Sequence, residues 1–102
     1  MTNPRVTQLI NNNGNPVANH FVITNYEDDY SLQTGIEYLQ SYKSTVASKF
    51  YYNGRVSTVT LGRDWDYSRT TMKYVGQYLG LNTKEIRAKI KSGEFVYDRS
   101  MV

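Results

Sequence analysis

The chain has no cysteine and a single histidine in 102 residues. The first absence excludes disulfides, thiolate metal sites and cysteine nucleophiles. The second excludes any histidine-rich metal site, because His20 would stand alone. No apolar run approaches the length of a membrane span. Met1-Thr2-Asn3-Pro4-Arg5 lacks the charged-then-apolar order of a secretory signal. These gaps lead to the expectation of a cytoplasmic protein, with no membrane partner and no cofactor. No linker, internal repeat or low-complexity tract divides the chain, so 1–102 is read as one domain.

Two things are present in excess. Tyrosine occurs ten times, more than a core of this size holds with every hydroxyl satisfied, so some tyrosines belong at a surface. Positive charge is the other. Residues 1–42 carry one base against four acids, and residues 43–102 carry eleven bases against five. A basic second half favours an acidic partner, although a solvated surface accounts for the same asymmetry.

The densest stretch is Trp65 to Gly80. It reads as a helix, with Asp66 or Ser68 as its cap and Gly80 as its left-handed stop. Met72, Val75 and Leu79 form an apolar stripe, and Tyr67, Thr71, Tyr74 and Tyr78 form a second beside it. Arg69, Lys73 and Gln77 make a polar face. A shorter helix follows over Lys84–Ser92, with Asn82 or Thr83 at its start, Glu85 completing a capping box and Gly93 ending it.

The first half reads as strands. Residues 6–10 and 18–24 form a hairpin around the turn chemistry of Asn11–Pro16. Tyr26-Glu27-Asp28-Asp29-Tyr30 reads as a solvated acidic loop, because its spacing is not that of a calcium-binding EF-hand loop. Ile36–Ser41 alternates imperfectly. Residues 45–52 and 55–61 flank Asn53-Gly54, the signature of a two-residue hairpin turn. In that register Tyr51 faces Val56, Phe50 faces Ser57 and Val46 faces Leu61. Val46, Phe50, Val59 and Leu61 would then share the core side, with Trp65 packed on them. Residues 94–97 add a last short strand. The expected fold class is α+β: an antiparallel sheet of about four or five strands, with two C-terminal helices packed on one face.

Three pieces of sequence carry a resemblance. They are Tyr38-Leu39-Gln40-Ser41-Tyr42-Lys43-Ser44-Thr45-Val46-Ala47, then Trp65-Asp66-Tyr67-Ser68-Arg69-Thr70-Thr71 with Tyr74 and Tyr78-Leu79-Gly80, then Ile90-Lys91-Ser92-Gly93-Glu94. Together they resemble small proteins encoded by phages, prophages and plasmids, in which a Gln-Ser-Tyr strand precedes a Trp-Asp-Tyr-Ser-Arg-Thr-Thr helix start. The resemblance covers about residues 36–95. It implies a mobile-element accessory protein and brings no catalytic role with it.

The candidate chemical groups favour structure over catalysis. His20 has no serine or acid in a suggestive motif beside it. Asp66 as a cap, and Asp64 paired with Arg63 or Arg69, account for the two acids flanking Trp65. Ser68-Arg69-Thr70-Thr71 at a helix start would suit a phosphate, but the glycine-rich loop of a nucleotide site is missing. The expectation is therefore a non-enzymatic protein that binds and inhibits a host defence or nucleic-acid-processing complex. Tyr51, Tyr52, Arg55, Arg69 and Lys73 are its expected contact residues, since tyrosine and arginine dominate interface energetics. The alternative is a small nucleic-acid-binding protein, in which the basic second half tracks phosphates and Tyr51 or Tyr52 stacks on bases. Self-association is compatible with either.

Overall fold

A computed structural model describes residues 5–26 and 34–102. The acidic loop anticipated at 26–30 lies outside the described residues, apart from the backbone of Tyr26. Five strands form an antiparallel meander: β1 (Arg5–Ile10), β2 (Pro16–Tyr26), β3 (Gly35–Ser41), β4 (Ser44–Tyr52) and β5 (Arg55–Gly62). Two helices follow, α1 (Arg69–Leu79) and α2 (Thr83–Ser92). They carry the chain back to β6 (Val96–Asp98), which pairs parallel to β5 at the sheet edge. The class is α+β as expected, with six strands among the described residues rather than four or five.

Local chemistry sets the turns. Asn11 Oδ1 accepts from the backbone N–H groups of Asn13 and Asn15 and closes the β1–β2 loop. Asn53 and Gly54 both adopt positive φ (52° and 79°), the geometry of the hairpin turn their sequence announces. Ser68, not Asp66, caps α1: its hydroxyl accepts from Thr71 N–H at 3.1 Å. Trp65–Tyr67 therefore sit in a turn before the helix and not in its first turn. Asn82 and Glu85 complete the capping box of α2.

The expected β4–β5 register holds only near the turn. Tyr51 faces Val56, but Phe50 then faces Thr58 and Ala47 faces Leu61. Ser57 is the extra residue of a β-bulge. A bulge turns every side chain beyond it to the other face of the sheet. Phe50 is consequently 40% exposed and lies outside the core, contrary to the sequence reading. Ala47 joins the buried set instead. A second irregularity, between Leu39 and Gln40 on β3, lets the neighbouring β4 residues Val46 and Ala47 both be buried.

The helices cover one face of the sheet. Tyr78 Oη donates to Glu37 Oε1 at 2.8 Å, Lys49 Nζ donates to the Tyr78 carbonyl at 2.9 Å, and Gln77 Nε2 donates to the Ile10 carbonyl at 2.9 Å. The Lys49 bond meets α1 at its C-terminal carbonyls, where a cation is favourable. Burial lowers the Lys49 ammonium from its ordinary value, and Glu37 partly opposes this. Leu39, Val46, Leu61, Trp65, Val75 and Ile86 form the centre of the core. Among the described residues, no helix is long and apolar enough to cross a membrane.

Candidate functional site

The two longer resemblance segments lie far apart in sequence but meet at one end of the sheet. Ser41, Tyr42, Ser44 and Val46 from the β3–β4 hairpin, with Asp64, Tyr67 and Thr71 from the segment entering α1, line a recess of about 150 Å³. Tyr42 is 58% exposed and Tyr67 82% exposed, so two aromatic rings stand at its mouth. Tyr42 opens the two-residue β3–β4 turn with φ 55°, a backbone region costly for a bulky side chain. Its N–H donates to the Asn19 carbonyl at 2.7 Å, which helps hold this conformation.

The side wall is polar. Asp64 accepts from Ser44 Oγ at 3.1 Å and from Arg63 Nε at 3.3 Å. The Arg63 hydrogen bond, with help from Ser44, lowers the Asp64 carboxyl from its ordinary value. Lys43, Arg63 and Arg69 are exposed, and each is one or two residues in sequence from a lining side chain. The recess is thus an aromatic and polar hollow among cations.

A buried hydrogen-bond chain lies beneath it. His20 Nδ1 is 2.9 Å from the Ala18 carbonyl, which only accepts, so this nitrogen carries the proton. In the neutral ring His20 Nε2 then accepts, and Ser41 Oγ donates to it at 2.9 Å. Thr71 Oγ1 lies 3.5 Å from Ser41 Oγ and itself accepts from Ser68 Oγ at 3.1 Å. The chain ties the cap of α1 to β2 and β3. Sequence reading found no serine beside His20; the β2–β3 register supplies one across 21 positions.

A Ser–His hydrogen bond has the reach of a nucleophile–base pair. Here both residues are buried, and a backbone carbonyl takes the place of an orienting acid. The arrangement fixes the β3–β4 turn against α1. It also engages the Ser68 and Thr71 hydroxyls that a phosphate site would need. Ser41→Ala should leave His20 Nε2 buried and unpaired, costing about 1–3 kcal/mol. A urea midpoint unchanged by Ser41→Ala would show that the chain contributes nothing to stability.

The residues expected to bind a partner fall into two groups. Tyr51, Tyr52 and Arg55 lie at the β4–β5 tip; Tyr52 and Arg55 are exposed and Tyr51 is half-buried. Arg69 and Lys73 are exposed on α1, with the Lys73 ammonium 5.3 Å from the Tyr74 ring centre. Thr71 contacts Ser41 at one end of β3, whereas Tyr51 pairs with Gly35 at the other. Six residue steps separate these ends, about 20 Å. The five residues therefore do not form one patch. Arg69 flanks the recess, and Tyr42 and Tyr67, which sequence reading did not select, stand at its mouth.

A second recess of about 310 Å³ is lined by Trp65, Asp66, Arg87, Ile90, Lys91 and Tyr97. The Arg87 guanidinium sits 5.0 Å from the Trp65 ring centre and pairs with Asp66 at 3.3 Å. Lys91 and Tyr97 are exposed at its rim. Among the described residues, no group of three histidines or acids gathers as a metal site.

Residues 5–94 match the model of a family of unknown function, DUF8033, and the chain belongs to that family. No curated protein and no solved structure matches it.

Proposed function

We propose that this chain is a non-enzymatic accessory protein of a phage or related mobile element. In this reading it acts in the host cytoplasm, where it binds and inhibits a host defence or nucleic-acid-processing complex. The observation that carries the reading is the meeting of the Gln40-Ser41-Tyr42 strand end and the Trp65–Thr71 segment around one recess with two exposed tyrosines. Large exposed aromatics held on a rigid turn and flanked by arginines have the composition of interface anchors. The buried chain below them fixes their position before a partner arrives, which lowers the entropic cost of binding.

The test is affinity capture from host lysate, followed by measured binding to the partner so identified. Tyr42→Ala with Tyr67→Ala should weaken binding by on the order of a thousandfold, taking each anchor at about 2 kcal/mol. Arg69→Glu with Lys73→Glu should weaken it less, and Tyr51→Ala with Tyr52→Ala should serve as the distant control. Equal binding by wild type and the Tyr42/Tyr67 double variant would remove the recess from the interface. If only the Tyr51/Tyr52 variant lost binding, the interface would move to the hairpin tip.

The second recess favours one alternative. Arg87 and Lys91 beside Tyr97 offer two cations and a stacking ring, the elements of single-strand nucleic-acid contact. That reading requires affinity for DNA or RNA that falls steeply with salt. Binding that is absent at low salt, or insensitive to it, rejects the alternative.

A further inference from the structure

We infer that the face of the sheet opposite the helices packs against a second copy of this chain, forming a two-fold dimer of sheet on sheet. The register defines this face. Val6, Ile23, Tyr38, Ser48 and Thr60 form one row across five strands, each paired to the next. Asn25, Ile36, Phe50 and Thr58 form a second row, and Gln8, Phe21, Gln40 and Thr45 a third.

No Asp, Glu, Lys, Arg or His occurs in these three rows. Arg5, Glu37 and Lys49 alternate to the helix side, while Arg55 at the β4–β5 tip and Asp98 at the end of β6 stand on this side, outside the three rows. A solvated face of an antiparallel sheet normally alternates to polar and charged residues. This one instead presents Val6, Phe21, Ile23, Ile36, Tyr38 and Phe50. Val6 is 59% exposed and Phe50 40%, while Phe21, Ile23, Ile36 and Tyr38 are half-buried and Ser48 in the central row is buried.

Two arguments select a second copy as the occupant. In a two-fold interface the same patch lies on both sides, so a charge near the axis meets its own like. The three central rows, free of charge across the strands they cross, meet that condition without any complementary partner, with Arg55 and Asp98 only at the margins. The size also fits. Five strands at about 4.8 Å spacing and about 20 Å length give a patch of about 20 by 20 Å. That is about 400 Å² in projection for each partner, about half of the ~800 Å² of a standard interface, a size that fits a weak dimer. Sheets pack face to face about 10 Å apart with strands nearly aligned, and the Phe50 and Tyr38 rings are long enough to interdigitate across such a gap. This surface is on the opposite side of the sheet from the helices and is independent of the recess proposed for the host partner.

The test is the mass of the full chain in solution, by sedimentation or light scattering over a concentration series. The wild type should have twice the chain mass at micromolar to hundred-micromolar concentration. Val6→Lys with Phe50→Lys should be monomeric across the same range, with an unchanged far-UV spectrum. Thr58→Arg, at an exposed position between the tip and the centre of the face, should weaken the dimer at least tenfold and provides the test if the double variant does not fold. A monomeric wild type overturns the inference, even if another macromolecule occupies this face. A dimer whose dissociation constant is unmoved by these variants overturns it equally.

Discussion

Replacing Trp65 with alanine should cost about 3–5 kcal/mol, the range for truncating a buried tryptophan. Small domains have about 5–15 kcal/mol in total, so much or all of the stability would go. Trp65 is 3% exposed and belongs to the cluster with Leu61, Val75 and Ile86. It sits in the turn after β5, where its N–H donates to the Gly62 carbonyl at 3.2 Å. Arg87 of α2 lies over its ring, adding a cation–π contact of about 0.5–1 kcal/mol at such a partly exposed site. A cavity there would loosen both the sheet and α2. At about 4–8 °C per kcal/mol, the melting temperature should fall by on the order of 15–30 °C. The reading is by far-UV circular dichroism, since the variant has no tryptophan left to report. An unchanged melting temperature would take Trp65 out of the core.

Trp65 also shows how far the sequence can be read. Its burial was legible because a lone large aromatic beside an amphipathic helix has few other places to go. The partner expected for it, Phe50, was misassigned through one residue. Ser57 carries no glycine or proline to announce a bulge, and without the bulge a simple hairpin count puts Phe50 on the core side. The Asn53-Gly54 turn and the Gly80 and Gly93 stops are legible in the sequence because each rests on local backbone chemistry, and the Ser68 and Asn82 caps are legible as one of two candidates each.

The candidate site was illegible for the opposite reason. Nothing local links His20 to Ser41 or Tyr42 to Tyr67; those pairs exist only once the β2–β3 register and the docking of α1 are fixed. Tyr42 occupies a left-handed turn position where glycine is usual, so the turn gave no signal in its composition. The resemblance segments were the one available pointer. They held Ser41, Tyr42, Tyr67 and Thr71 before any geometry could show why those stretches belong together.

Gly62→Ala should destabilise the fold by about 2 kcal/mol or more, although alanine is the better residue in the abstract. Removing a glycine restricts the unfolded chain and would by itself stabilise by about 0.4–1 kcal/mol where the backbone tolerates it. At Gly62 the backbone is held from two sides. An added Cβ would lie 2.5 Å from the Thr45 carbonyl oxygen and 2.7 Å from that of Met101. Neither is the end of a flexible side chain. Thr45 belongs to β4, and the Met101 carbonyl accepts from Arg63 N–H at 3.0 Å. Overpacking a closed site costs about 1–3 kcal/mol and more when backbone must move, so the clash outweighs the entropy gain. The displacement would reach β6, which pairs with β5 at Gly62 through Asp98. Gly54→Ala is the comparison. Its Cβ meets nothing within 4 Å, and its cost arises only from φ 79°, about 1–2 kcal/mol. Urea denaturation of both variants should rank Gly62→Ala as the more damaging. If Gly62→Ala is neutral or stabilising, the C-terminal segment does not close over the end of β5 as described.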